Sequence, residues 1–226
     1  MKSLLISGIS GKVGSFVYDY AHAFSFSVMC GVDKNDFTEA NCPIYKSFDE
    51  VKENIDVIID FSSPELTEKA AEFAIENKVA LVCGTTALTE KTKEKLRELS
   101  LIRPVTVCNN FSKGFAAFTD SVKKLNNSLK DFDVEICETH NKAKKDAPSG
   151  SAIVLAKQID CIKIHSLRGG NPAGVHTVYF LGNGEEITVT HRVYDKSVFA
   201  VGALQTANYI LTRKSGLIDF DEVLRT

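Results

Sequence analysis

The sequence predicts an α/β chain in two parts: a doubly wound parallel sheet, then a smaller α+β domain with an open mixed sheet. Three observations carry that prediction. Apolar strand-like runs alternate with amphipathic helical stretches through the first half, the pattern of a parallel sheet covered on both faces. Gly8-Ile9-Ser10-Gly11-Lys12-Val13-Gly14 separates the first strand from the first helix. In the second half three strand-like runs follow one another closely, the last two joined by Gly182-Asn183-Gly184, a tight turn containing Asn-Gly.

Each element has a local reason. Ser3–Ser7 (SLLIS) is a short apolar run and predicts the first strand, with a helix over Lys12–Ala23 after the glycines. Phe26–Val32 is β-rich, and Asp56–Phe61 (DVIIDF) more so. Ser63-Pro64-Glu65 reads as a helix start: a serine cap, proline in the first turn and an acid at the positive end. That helix brings Leu66, Ala70, Phe73 and Ala74 to one face. Val79–Cys83 predicts the next strand, Thr89–Leu99 a charged surface helix and Val105–Cys108 a further strand. Beyond these, a helix is predicted over Phe115–Leu129, a strand over Asp133–Thr139 and a helix from Ser149 to Ile159. Strands at Lys163–Leu167, His176–Leu181 and Glu186–Tyr194 follow, the last pair antiparallel. A final helix over Gly202–Lys214 is expected to return to the first domain, with a crevice between the two domains.

Composition narrows the function. The 226 residues are 44% hydrophobic and 25% charged, ordinary values for a chain that buries a sizeable core. A formal net charge of −2 leaves no basic excess for a nucleic-acid partner. No apolar run approaches the ~18 residues of a spanning helix, and glycines stand where a secretion leader would be apolar. The expectation is a soluble, cytoplasmic protein without a membrane partner. Six cysteines, at 30, 42, 83, 108, 137 and 161, form no C-x-x-C pair. Free thiols in a reducing compartment are expected, with no disulfide and no metal.

The glycine segment is a G-x-x-G-x-x-G relative of the Rossmann dinucleotide fingerprint. Glycines there let the backbone turn tightly and approach a pyrophosphate, with the helix N-terminus facing the anion. Asp33 ends the second strand nineteen residues after Gly14, where an acid hydrogen-bonds the adenosine ribose. Lys34 beside it suits a 2′-phosphate, so NADH and NADPH both remain open.

The segment richest in chemistry runs from Glu138 to Ala152 (ETHNKAKKDAPSGSA). It leaves a strand, crosses a basic loop and enters a helix at Ser149-Gly150. Such a helix start offers backbone N–H groups, and the Ser151 hydroxyl, to a carboxylate. His140 and Lys144 are acid–base residue types, histidine for its mid-range pKa and lysine as a cationic donor.

HNKAKKDAPSGSA resembles the signature of the 4-hydroxy-tetrahydrodipicolinate (dihydrodipicolinate) reductases, and the resemblance spans the chain. Gly8–Gly14 is similar to their nucleotide loop, Asp60-Phe61-Ser62-Ser63-Pro64-Glu65 to their third-strand motif and Gly84-Thr85-Thr86 to their nicotinamide-side loop. Asn110-Phe111-Ser112-Lys113-Gly114 resembles their interdomain hinge. Arg168-Gly169-Gly170, Gly174-Val175-His176-Thr177, His191-Arg192 and Phe199–Ala203 also follow the family pattern. The resemblance implies a dinucleotide-binding domain of residues 1–111 with 197–226, and a substrate-binding and oligomerisation domain of residues 112–196. It implies NAD(P)H-dependent reduction of a cyclic imine dicarboxylate in lysine and diaminopimelate biosynthesis, by a homotetramer. His140 would be the catalytic acid/base and Lys144 the proton donor, while Asn141, Gly150 and Ser151 would hold the substrate carboxylates. The cofactor would touch Gly8, Ile9, Ser10, Gly11, Lys12 and Val13, then Asp33 and Lys34. It would also touch Gly84, Thr85 and Thr86, and finally Cys108, Asn109, Asn110 and Phe111.

The chain departs from the family pattern at four positions. Asn141 stands where a second histidine is usual, Ser151 where threonine is, Ala87 where a glycine often follows the threonine pair, and Lys196 where arginine is common. Lys196 keeps charge but loses bidentate geometry, which bears on substrate affinity more than on reaction type. Val178, Phe180, Val189 and Val193 are candidates for an exposed apolar face at a tetramer interface. His176 and His191 are candidates for a substrate-domain role. Two other readings share the first domain: a homoserine or aspartate dehydrogenase type of oxidoreductase, and a non-catalytic dinucleotide-binding sensor.

Overall fold

Leu4, Leu5 and Ile6, consecutive in the first strand, are all fully buried, which requires cover on both faces of the sheet. The computed structural model, which describes residues 1–225, supplies it. The chain divides into two units, Met1–Phe111 together with the segment from Ser197 onward, and Ser112–Lys196.

The first unit begins β1 (Lys2–Ser7), α1 (Lys12–Ala21), β2 (Phe26–Val32), β3 (Ile44–Tyr45) and β4 (Val57–Asp60). It continues α2 (Pro64–Asn77), β5 (Ala80–Cys83), α3 (Glu90–Ile102) and β6 (Pro104–Val107). The second unit holds α4 (Lys113–Ser128), β7 (Asp133–His140), α5 (Gly150–Gln158), β8 (Ile164–Arg168), β9 (Gly174–Leu181) and β10 (Glu186–Val193). The chain then returns to the first unit through α6 (Ser197–Ile210), β11 (Gly216–Leu217) and α7 (Phe220–Leu224).

The first unit is a seven-stranded parallel sheet in the order β11-β6-β5-β4-β1-β2-β3. Period-2 alternation divides its core. Leu4, Ile6, Ile59 and Val82 join Val17 of α1 and Leu204 of α6 on one face. Leu5, Ile58 and Leu81 join Ala70 and Ala74 of α2 and Leu96 of α3 on the other. Helices α2 and α3 start where the sequence predicts. Ser63 caps α2 by accepting from Leu66 N at 3.3 Å, and Thr89 caps α3 by accepting from Thr92 N at 3.1 Å; such caps are each worth about 0.5–2 kcal/mol.

The second unit is a four-stranded mixed sheet in the order β10-β9-β7-β8, with only the β7–β8 pair parallel. Val178 and Phe180 are fully buried and Val193 nearly so. Val178 and Phe180 pack with Phe115 and Val122 of α4 and Leu155 of α5, and Val189 packs against the same cluster. The apolar face proposed for an interface is therefore largely the unit's own core. The opposite face carries Glu135, Cys137, Thr177 and Leu167, the last 55% exposed.

The last helix begins at Ser197, not at Gly202. Gly202 reads as a helix breaker in sequence, but in α6 it admits a backbone: a Cβ there would lie 1.9 Å from the Phe111 carbonyl oxygen. Lys12–Ala23 likewise shortens to end at Ala21, followed by a 3-10 turn at His22–Phe24. Among the described residues no helix is long and apolar enough to cross a membrane.

Candidate active site

The nucleotide loop is built by close backbone approach. Gly8 has φ +79°, and a Cβ there would lie 2.6 Å from the Phe61 carbonyl oxygen; only glycine fits. Gly14 faces Gly8 more closely still, a Cβ lying 2.1 Å from the Gly8 oxygen. Gly11 donates its N–H to that same oxygen at 3.0 Å and heads α1 with no side-chain cap. The first-turn N–H groups of Lys12 and Val13 are thereby left for an external anion. A pocket of ≈ 500 Å³ opens in front, lined by Gly8, Ser10, Gly11 and Asp33 on one side and Lys34, Lys46 and Lys69 among others. A cradle of glycine backbone, an uncapped helix start and basic side chains fits a dinucleotide phosphate.

Not every predicted contact is available as a side chain. Asp33 is buried, and its Oδ2 accepts from Ser10 N at 3.0 Å and Ser10 Oγ at 2.7 Å, while Oδ1 accepts from Asn35 N at 2.9 Å. It pins the loop first, and only its remaining lone pairs could reach a ribose. Ile9 is fully buried and Phe111 is packed between Phe61 and Phe220, so these two offer backbone alone. Thr85 is buried too: its hydroxyl donates to Asp60 at 2.7 Å and accepts from Ser62 N at 2.9 Å. Asp60, fully buried, also accepts from Thr67 Oγ1 at 2.7 Å, and so ties the turn after β4 to Gly84-Thr85-Thr86. Thr86 and Asn109 are exposed, and Asn110 is half-buried. The Cys108 thiol donates to the Asn110 carbonyl at 3.2 Å, and burial pushes it up to about 11, leaving it a neutral donor. Lys46 and Lys69 carry no sequence signal because they lie just after β3 and on α2, remote from the glycine motif.

In the second unit the alternation of β7 places Ile136, Glu138 and His140 on the core face. The apolar end of that face is core; the end near the β7 C-terminus is polar. Glu138, fully buried, meets both arms of Arg168: Nη1 donates to Oε2 at 2.9 Å and Nη2 to Oε1 at 2.6 Å. Nδ1 of His140 bonds Oε2, and Ser149 N donates to Oε1 at 3.2 Å. Ser149 caps α5, accepting from Ala152 N at 3.3 Å, and its hydroxyl meets Nε2 of His176 at 3.2 Å. The His140 and His176 rings stand edge-on, 5.3 Å between centroids.

The loop between β7 and α5 carries the other predicted groups. Lys144 donates its backbone N–H to the Asn141 carbonyl at 3.1 Å, and its Nζ pairs with Asp146 at 2.7 Å. Asn141 Oδ1 accepts from Ala143 N at 3.1 Å, so this asparagine shapes the turn. Gly150 opens α5, and a Cβ built on it meets nothing within 4 Å. The first turn of α5 holds no acidic residue of its own, unlike α2 and α3 with Glu65 and Glu90; the acid at its positive end is Glu138, which accepts from Ser149 N and is itself paired with Arg168. Ser151 sits in that turn and is partly exposed. An acid–base pair of residues beside a positive helix end whose first turn carries no acid can bind a carboxylate and move a proton next to it.

The charge states follow from the contacts. Burial alone would raise the Glu138 carboxyl, but donors to its charged form, Arg168 foremost, prevail and bring it down to about 2. Burial lowers His140 against the pull of Glu138. The pair is therefore a carboxylate accepting from a neutral imidazole, with Arg168 as its counter-charge. Burial also brings His176 down to about 3. Both depressed groups stabilise the fold at neutral pH and lose that contribution on acidification. The His176 contribution fades as pH falls below its unfolded value near 6.5. That of Glu138, on the order of 3 kcal/mol, fades below about pH 4.5 and is gone near 2. Hydrogen exchange of the β7–β9 amides between pH 7 and pH 3 should show protection falling in that order; pH-independent opening free energies would contradict both assignments.

Glu138, Ser149 and Arg168 belong to this site although the motifs assign them no role. The available signal was period 2: in V-E-I-C-E-T-H a glutamate shares the face of Ile136 and His140, and a buried carboxylate demands a cation. The partner, Arg168, lies thirty residues on and is found only through the parallel β7–β8 register that sets His140 beside it.

Known proteins bear on this geometry. The profile described as dihydrodipicolinate reductase, N-terminus, matches residues 2–111, and that described as dihydrodipicolinate reductase, C-terminus, matches residues 114–224. The 4-hydroxy-tetrahydrodipicolinate reductase of Thermosipho africanus is 37% identical over 221 residues, covering 97% of this chain and 96% of its own. Among solved structures, a dipicolinate-bound dihydrodipicolinate reductase from Paenisporosarcina sp. TG-14 is similar with a TM-score of 0.74 at 23% identity, over 97% of each chain. An aspartate dehydrogenase from Thermotoga maritima is similar at a TM-score of 0.55 and 14% identity, over 92% of this chain and 96% of that one, which shows shared fold alone. Full-length relatedness and both matching halves therefore place the chain in the dihydrodipicolinate (4-hydroxy-tetrahydrodipicolinate) reductase family of nicotinamide-dependent oxidoreductases, and it belongs to that family.

Proposed function

We propose that the chain reduces 4-hydroxy-tetrahydrodipicolinate to tetrahydrodipicolinate, binding NADH or NADPH on its first unit and the cyclic dicarboxylate on its second. The observation that carries the residue roles is the placement of His140 and Lys144 on the strand end and loop that lead into α5. Gly8 to Val13 hold the pyrophosphate through backbone, Asp33 and Lys34 stand at the adenosine ribose, and Gly84 to Thr86 with Cys108 to Phe111 form the nicotinamide side. The bound nicotinamide supplies the reducing equivalent. Asn141, Gly150 and Ser151 hold substrate carboxylates at the start of α5, whose first turn holds no acidic residue. After water is lost from the 4-hydroxy compound and the ring is reduced, the enamine carbon needs a proton. Lys144 donates it, and His140 is the second acid–base group. A positioned proton donor is typically worth about 10²–10⁴ in rate.

Six free thiols suit a reducing cytoplasm. The outward face of the second unit's sheet, with Leu167 exposed, is the surface through which a tetramer would form, and not the buried Val178 face. The test is loss of nicotinamide absorbance with substrate generated in place by a synthase from pyruvate and aspartate semialdehyde. Oxidation that requires the synthase supports the reading and ranks the two nucleotides. Nucleotide binding without synthase-dependent turnover would leave a sensor instead.

A further inference from the structure

The Glu138 carboxylate is saturated. Each oxygen takes one arm of Arg168 and one further donor, Oε1 the Ser149 N–H and Oε2 the Nδ1 of His140. A carboxylate has room for about four such bonds, and all of them come from the second unit. Arg168 is fixed in turn, donating to the Asp146 carbonyl at 2.6 Å and the Leu167 carbonyl at 2.7 Å. An ionised carboxylate only accepts, so the proton in the Glu138–His140 bond belongs to Nδ1. The other ring nitrogen, Nε2, has no hydrogen-bond partner among the described residues. Gly174 lies beside it, and a Cβ there would stand 3.0 Å from Nε2. The absence of a side chain at that position leaves the Nε2 edge uncrowded.

We propose that Glu138, clamped by Arg168, is the positioning residue of this site: it fixes His140 as the Nδ1–H tautomer, so that a bare Nε2 meets the substrate as an acceptor. One carboxylate thereby sets both the ring and the start of α5, since Ser149 N–H binds the same group. This rests on the reaction proposed above and sharpens it. His140 in this state accepts a hydrogen bond or a proton, and the donation falls to Lys144. The charged and titratable groups facing His140 are Glu138 on its own strand, Arg168 on β8, His176 on β9 and Lys144 on the loop. Of these only Glu138 carries negative charge, so its loss leaves nothing to favour the imidazolium.

The test is nitrogen NMR of ¹⁵N-histidine-labelled full-length protein at neutral pH, with His140 assigned by a His140→Gln control. The wild type should show a protonated Nδ1 and a bare Nε2; a protonated Nε2 would overturn the proposal without any variant. Glu138→Gln should keep its circular dichroism and its nucleotide Kd, lower kcat by about 10–100-fold as loss of a ligand-orienting partner does, and mix the two His140 tautomers. The acidic limb of its kcat/KM profile should move to lower pH. A folded Glu138→Gln with wild-type His140 signals and an unmoved profile sinks the idea. If Gln at 138 does not fold, the wild-type tautomer alone decides. Wild-type protein with Nδ1–H at His140 but no synthase-dependent turnover would overturn the reaction, while the assignment of Glu138 to the ring would hold.

Discussion

Lys144→Ala will lower kcat by about 10²–10⁴-fold and leave the NADH and NADPH dissociation constants unchanged. The residues proposed for the nucleotide lie in the first unit and Lys144 in the second, so the variant leaves the proposed nucleotide contacts in place. The side chain is poised, not idle: its Nζ is held by Asp146 at 2.7 Å while its backbone closes the turn on Asn141. Losing it would remove the proposed proton donor and one cation of the basic loop that leads into α5, so KM for the dicarboxylate should rise as well. Lys144→Arg separates the two effects. Arginine keeps the charge but does not release a proton near neutral pH, so KM should recover while kcat stays low. Stopped-flow and steady-state rates with synthase-generated substrate measure both; near-normal kcat in the alanine variant would remove Lys144 from the donor role.

Gly202→Ala will destabilise the protein by about 3 kcal/mol or more. Helix propensity points the other way, since alanine gains about 1 kcal/mol over glycine inside a helix. The contact decides it. A Cβ at 202 would stand 1.9 Å from the Phe111 oxygen and 2.9 Å from its carbonyl carbon, and backbone cannot swing aside as a side-chain end can. Either α6 or the end of the β6 loop must shift, against a core that includes Phe61, Phe111 and Phe220. Differential scanning calorimetry should show the melting point lower by roughly 6–12 °C for a chain of this size. An unchanged or raised melting point would mean the helix has room that the structure denies it.

Much of the first unit was legible because burial there is two-sided and local. Uninterrupted apolar strands such as VIID and ALVC need no partner to be recognised, and Ser63-Pro64-Glu65 announces α2 by capping chemistry within three residues. Two-residue strands such as β3 and β11 carry no periodicity, and they exist only because a neighbouring strand edge holds them. The predicted start at Gly202 falls inside α6, where the glycine serves a close approach to the Phe111 carbonyl.

Residue pattern alone specifies the alternating fold, the glycine loop, the strand–loop–helix bearing His140, Lys144 and Gly150, and the family that these motifs spell in order. Those signals are short-range, and the chemistry of each is written in a few adjacent residues. Tertiary structure decided which face of the second sheet is core, that Asp33 is held by Ser10, and that Glu138 joins Arg168, His140 and Ser149. Alternation tells which residues share a face of a strand but not what covers it, and a buried charge can be understood only once strand register has brought its partner across the sheet.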